Sequence, residues 1–260
     1  MKPKHSSASP LAFLALTYAL SLPWWGLSLV LRAPGLPDRL PITDLGAVFM
    51  PALAAIILIH RERGRRGVIA VLRRLADWDR VRGAWWLVLL GLPPVLYVAT
   101  FAGMRLLGFD VAVPSAIGAP LALTFVVFFL GAVGEELGYT GYATDPLLRR
   151  ASAPMTAVML GVPWALWHLP SMILIGQPTD LILWGLAATV AYRVIYVEIY
   201  ARSGCSLFSV VLLHALFNTG RTAFPGGHEG FEAGNAAVGY GLVVLVALGL
   251  SLLLRPCKET

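Results

Sequence analysis

The sequence is short of charge. Asp, Glu, Lys and Arg together supply 13% of its 260 residues, about half the share of an ordinary soluble domain, which excludes a chain that depends on a solvated surface. Cysteine is nearly absent. Cys205 and Cys257 form no CxxC pair and both fall near the expected cytoplasmic face, so neither a disulfide framework nor thiol catalysis organises this chain. The sequence also lacks the HExxH motif of soluble metalloprotease helices, internal repeats and low-complexity tracts.

What it has in excess is apolar sequence. Hydrophobic residues make up 58% of the chain and mean hydropathy is +0.75, with several runs long enough to span a bilayer. The expected fold is all-α: a single polytopic transmembrane domain over residues 1–260 with about eight helices. The spans are predicted at Leu11 to Leu31, Asp44 to His60, Ala84 to Gly108, Pro120 to Ala143, Met155 to Ile175, Leu181 to Tyr200, Ser206 to Gly220 and Ala236 to Leu254. The first 22 residues resemble a secretory signal, but the apolar run continues through Trp24, Trp25 and Val30, which reads as an uncleaved first helix.

Basic residues divide unevenly between the two ends of those spans. Lys2, Lys4, Arg61, Arg63, Arg65, Arg66, Arg73, Arg74, Arg80, Arg82, Arg149, Arg150, Arg202, Arg255 and Lys258 fall on one side, fifteen against the four of Arg32, Arg39, Arg105 and Arg221. The positive-inside rule then places both termini and the Arg61 to Arg82 loop in the cytoplasm. This asymmetry accounts for the net charge of +6 without a nucleic-acid partner. Within the loop, Val68, Ile69, Val71, Leu72, Leu75 and Trp78 follow a helical spacing between arginines, so it is either a plain positive-inside loop or an interfacial helix on anionic headgroups.

Polar residues inside the spans are few: Glu135 and Glu136 in the fourth, His168 in the fifth, Arg193 and Glu198 in the sixth, His214 and Asn218 in the seventh. A carboxylate at the bilayer centre costs roughly 2.5–3.5 kcal/mol on insertion scales, so an adjacent pair calls for a function. His60 sits at a helix end beside arginines and reads as interfacial. At roughly 100° per residue, Gly131, Gly134, Gly138 and Gly141 form a close-packing stripe. Glu135 and Tyr139 flank it, while Glu136 and Thr140 lie opposite. In a regular helix the two carboxylates therefore cannot both face one site, and Glu135, beside the stripe, is the better candidate for direct chemistry. His214 and Asn218, at i and i+4, share a face, and Pro163 and Pro170 loosen the helix on either side of His168. The predicted span ends set Glu135 nearer the cytoplasmic face than His168.

Such a set has the parts needed for peptide hydrolysis. A buried glutamate can take a proton from water, a histidine can orient that water, and His or Asn donors can stabilise an oxyanion. His, His and Glu with an open position is equally a catalytic zinc pattern, and the sequence leaves both open.

The residues resemble a known family. Glu135-Glu136 followed by Gly141-Tyr142, Trp164 four residues before His168, and His214 with Asn218 in SGCSLFSVVLLHALFNT are similar to the three motifs of the CPBP intramembrane proteases, which include CAAX prenyl endopeptidases and bacteriocin-immunity membrane proteins. The resemblance covers roughly Leu121 to Gly220. It implies an eight-helix membrane fold, in a bacterial cell membrane, with Glu135, supported by Glu136, and His168 activating water and His214 and Asn218 forming the oxyanion site, or the same group binding zinc. Two positions depart from the pattern. Trp164 replaces a phenylalanine, which keeps an aromatic wall and should matter little. Thr140 stands where the EExxxR motif has arginine, so Glu136 lacks its expected i+4 cation. Arg193, the other unmatched intramembrane charge, is the candidate replacement.

The leading expectation is an intramembrane endopeptidase acting on a peptide or membrane-anchored protein within the lipid bilayer. A noncatalytic peptide-binding or immunity protein is the alternative, favoured by Thr140. A proton-coupled transporter would also use intramembrane Glu and His, but it lacks support from repeats or paired broken helices.

Overall fold

The computed structural model describes residues 8–31, 44–111, 119–224 and 236–253. Lys2, Lys4, Arg32, Arg39, Leu254, Arg255, Cys257 and Lys258 lie outside the described residues. Among the described residues there are helices and turns and no strand.

Each of the eight predicted spans holds one long helix, although the second, predicted from Asp44, starts as a long helix only at Met50. The long helices are α1 (Pro10–Ser28), α3 (Met50–Arg73), α4 (Trp85–Leu106), α5 (Ala119–Gly138), α7 (Ala153–Leu174), α8 (Thr179–Arg202), α9 (Leu207–Ala223) and α10 (Ala236–Leu253), with short helices α2 (Asp44–Ala47) and α6 (Asp145–Leu148) between them. Among the described residues, six runs are long and apolar enough to cross a membrane. Of the other two, α3 carries Arg61, Glu62, Arg63, Arg65 and Arg66 in its middle, and α9 has 17 residues.

Serine starts three of these helices. Ser9, Ser152 and Ser206 each accept a backbone N–H from the first turn of α1, α7 and α9, the orphan donors that helix N-termini leave. The caps of α9 are reinforced by Asp77, whose carboxylate accepts from Ser206 Oγ at 2.8 Å, Phe208 N at 3.0 Å and Leu207 N at 3.3 Å.

Two further boundaries differ from the sequence expectation. The stretch after His60 is not a loop: α3 runs on to Arg73, broken at Gly64, where φ 63° and ψ −166° suit glycine. Beyond that break the helical spacing wins, because Val71 is buried against the chain at Gly141. The fourth span also continues past Ala143, through a π-helix at Tyr139–Thr144 and α6 to Leu148. That extension places Glu135 at the middle of the Leu121–Leu148 run, and removes the expected depth offset from His168.

The interior is organised around α8 and α9. Buried residues fill much of α8, from Leu181 to Tyr200, and of α9, from Leu207 to Thr219, so these two helices form the inner layer. α8 packs on α7 and α10, α5 packs on α3 and α9, and α9 also meets α4. Large apolar side chains such as Leu11, Leu87, Val95, Val98, Leu123 and Leu183 point outward, as a lipid-facing surface requires.

Candidate active site

The glycine stripe fixes how α5 sits. A Cβ on Gly134 would stand 2.6 Å from the Val48 carbonyl oxygen, and one on Gly138 2.6 Å from both the Pro51 carbonyl and the Phe13 ring. These approaches press one face of α5 onto α1 and the start of α3. The remaining faces turn Glu135 and Glu136 inward, where both are buried.

Glu136 is enclosed by donors. Arg193 of α8 binds it in a fork, Nη1 to Oε2 at 2.7 Å and Nη2 to Oε1 at 3.1 Å. Thr140 Oγ1, one turn along α5, donates to Oε2 at 2.5 Å, and His214 Nδ1 lies 3.0 Å from Oε1. A carboxylate can only accept, so Nδ1 carries a proton there. The missing i+4 arginine is thus replaced by a guanidinium from another helix, and the threonine at 140 contributes a hydrogen bond. The guanidinium carbon is covered by aromatic rings, 4.1 Å from the Trp164 centroid, 4.8 Å from Tyr139 and 5.5 Å from Tyr196, where π faces stabilise a desolvated cation.

Glu135 faces the histidines. Its Oε2 is 3.9 Å from His168 Nε2 and its Oε1 is 4.0 Å from His214 Nε2. Both gaps are too long for a direct hydrogen bond and short enough for one water to bridge. His168 Nδ1 lies 2.8 Å from the Trp164 carbonyl. Because a carbonyl only accepts, Nδ1 bears the proton and Nε2 of a neutral ring turns its lone pair to Glu135. The His168 side chain is 30% exposed while that of Glu135 is 7% exposed, so the site opens on the His168 side. There Ser171, one turn beyond, donates to Asp44 Oδ1 of α2 at 2.7 Å.

The two carboxylates face different groups, Glu135 the His168 side and Glu136 the Arg193 guanidinium, and His214 links them. His214 lies between them and presents Nδ1 to Glu136 and Nε2 to Glu135, so one ring spans the 100° step along α5. The helix itself is distorted only after Gly138. Asn218 is a turn along the same face of α9 and half-buried, and its side chain makes no hydrogen bond among the described residues. The structure therefore brings Glu135, Glu136, His168 and His214 together and leaves Asn218 beside them.

Trp164 departs most from expectation. Its Nε1 donates to Glu135 Oε2 at 2.5 Å, a contact phenylalanine cannot make, so it is more than an aromatic wall. Tyr196 is a further neighbour the sequence did not single out, stacked on His214 with centroids 5.3 Å apart. Its one signal is the i+3 spacing from Arg193.

Contacts from the Arg74 end of the bundle hold the π-helix in place. Arg74 donates to the Gly141 carbonyl at 3.4 Å, to the Cys205 carbonyl at 3.3 Å and to the Tyr200 hydroxyl, and Tyr200 donates to Asp145 Oδ1 at 2.7 Å. Such π turns are rare insertions in α-helices and are frequent at functional sites.

Zinc needs three protein donors about 2.0–2.2 Å from one point. Among the described residues no group of three His, Cys, Asp or Glu side chains is placed to hold a metal ion. As placed, Glu135, His168 and His214 do not form a zinc centre, since no three of them converge on one point.

Residues 117–220 match the family model "Type II CAAX prenyl endopeptidase Rce1-like". A stretch of 44 residues is 43% identical to CAAX prenyl protease 2 of Methanococcus maripaludis, covering 17% of this chain and 16% of that protein. The matched part is thus a small share of the relative's length. Both similarities support the CPBP/CAAX protease family that the three motifs resemble.

Proposed function

We propose that this protein is an intramembrane endopeptidase that hydrolyses a peptide bond in or beside the bilayer with a water held between Glu135 and His168. The observation that carries the reading is the 3.9 Å gap between Glu135 Oε2 and His168 Nε2, which one water can bridge in a buried site that opens at His168. Glu135 takes a proton from the water as its oxygen attacks the scissile carbonyl carbon. The carbonyl π electrons move to oxygen, and His214 Nε2, when protonated, and Asn218 supply hydrogen bonds to that oxyanion. Collapse of the tetrahedral intermediate breaks the C–N bond, and the proton passes to the leaving amine. The products are a carboxylic acid and an amine, and transfer of the acid proton leaves them as carboxylate and ammonium.

Glu136 takes no part in bond making. Bound to Arg193, Thr140 and His214 Nδ1, it orients His214 and balances its charge when both ring nitrogens carry protons. The noncatalytic reading rested on Thr140, and Arg193 supplies the cation whose absence gave that reading its weight. The substrate class we propose is a peptide or protein held at the membrane. The relative's name refers to prenylated substrates, so a prenylated carboxyl-terminal peptide belongs among the substrates tested.

Purified protein in detergent or bilayers, given a panel of membrane-anchored peptides with and without prenyl groups, should cleave at least one. Glu135→Ala and His168→Ala should each lower kcat/KM by roughly 10²–10⁴, the usual contribution of a general base. Undiminished cleavage in both variants would sink the mechanism. Activity that a chelator removes and zinc restores would require a metal-assembled arrangement of these residues instead.

A further inference from the structure

We infer that Trp164 is a positioning residue that sets both members of the water-activating pair, its indole N–H holding the Glu135 carboxylate and its main-chain carbonyl holding the His168 ring. The inference rests on the hydrolytic reading of Glu135 and His168 given above. Trp164 is buried and reaches the two residues through different atoms. Nε1 donates to Glu135 Oε2 at 2.5 Å, the same oxygen that lies 3.9 Å from His168 Nε2. The carbonyl accepts from His168 Nδ1 at 2.8 Å, and the imidazole meets the indole edge-on with centroids 5.2 Å apart.

These contacts close a loop through Trp164, Glu135, the water gap and His168. A carboxylate oxygen accepts two or more hydrogen bonds. When the indole occupies one position on Oε2, rotation of the carboxylate is stopped and its remaining lone pair is left for the water. The carbonyl contact fixes which His168 nitrogen faces the same water. A phenylalanine would keep the wall and the carbonyl and lose the hold on Glu135.

The same ring reaches the second glutamate. Arg193 lies with its guanidinium carbon 4.1 Å from the Trp164 centroid and is fork-bonded to Glu136. A cation over the π face draws density from the indole and strengthens its N–H as a donor. Glu136 therefore acts on Glu135 through Arg193 and Trp164 without touching the water.

The test compares wild type with Trp164→Phe and with Trp164→3-benzothienylalanine, in which sulfur replaces the N–H at nearly constant shape. The benzothienyl variant should still fold, with a thermal midpoint no lower than that of Trp164→Phe, should keep the wild-type KM, and should lower kcat by about tenfold or more, as expected for one lost hydrogen bond to a charged group. An unchanged kcat in that variant overturns the inference and leaves the proteolytic reading standing. A second readout needs no turnover. The indole N–H band in ultraviolet resonance Raman, isolated as wild type minus Trp164→Phe, should mark a strong hydrogen bond that is lost in Glu135→Leu. A band already at the free N–H position, or one that Glu135→Leu does not move, overturns the inference. Failure of the wild type to cleave any membrane peptide overturns the proteolytic reading and the positioning role together, while the Raman result still decides the hydrogen bond on its own.

Discussion

Arg193 is the largest fully buried side chain among the described residues, and a guanidinium is kept out of water only when other groups replace its hydration. Glu136 does so by a fork, and three aromatic rings cover the remaining faces. Arg193→Gln should destabilise the protein by about 3–5 kcal/mol, since it leaves a buried carboxylate without its cation. The double variant Glu136→Gln/Arg193→Gln should lose less, because no charge is stranded. Reversible unfolding in mixed micelles measures both, and a double variant as unstable as the single would show that the pair is not what holds these helices. The pairing is legible in the sequence, as two intramembrane charges of opposite sign with no local partner. Trp164 is not legible in that way. An aromatic four residues before a histidine reads as a wall, and the direction of its N–H is decided by how α7 meets α5, which no local pattern encodes.

At the scale of elements, the glycines of α5 differ in what they do. Gly131 would place a Cβ in ordinary contact with Val48 at 3.6 Å, whereas Gly138 would drive one to 2.6 Å from the Pro51 carbonyl. A backbone atom cannot rotate away. Gly138→Ala should therefore cost about 1–3 kcal/mol through overpacking, and should lower activity as well, because Glu135 lies one turn away on the same helix. Gly26→Ala in α1 is the control: nothing lies within 4 Å of its Cβ, and the helix gains roughly 0.5–1 kcal/mol of propensity. Thermal unfolding of the two variants should move in opposite directions, and equal shifts would remove the close-packing argument. The stripe itself is readable from spacing. The basic stretch after His60 is harder to read, because arginines suggest a loop while Val68, Val71 and Leu75 recur at helical intervals. The structure resolves it through one residue: Gly64 breaks α3 and redirects its second half onto the π-helix. That π-helix follows from the tertiary support of Arg74 and Tyr200 and leaves no mark in local propensity.

For the whole molecule, hydropathy places six of the long helices, because in lipid each backbone must satisfy its own hydrogen bonds and length then follows from bilayer thickness, while α3 and α9 need helical spacing and motif as well. Depth was not readable. It depends on where a helix truly ends, and α5 gains its last turns from packing rather than from apolar sequence. Sidedness is the remaining consequence of the charge distribution. Antiparallel succession puts the turn between α6 and α7, near Arg149 and Arg150, at the same end as the turn after Arg202, and the turn at Gly176 and Gln177 at the other. If basic residues set the topology, Ala151→Cys should be shielded from a membrane-impermeant maleimide in intact cells and react once they are opened. Gln177→Cys should react in both. The comparison is made in a background lacking Cys205 and Cys257, since Cys205 is a partly accessible thiol. The reverse pattern would place the arginine-rich end outside the cell, and the site would then open, at its His168 side, toward the cytoplasm. Labelling thus decides from which side of the membrane a peptide must approach Glu135.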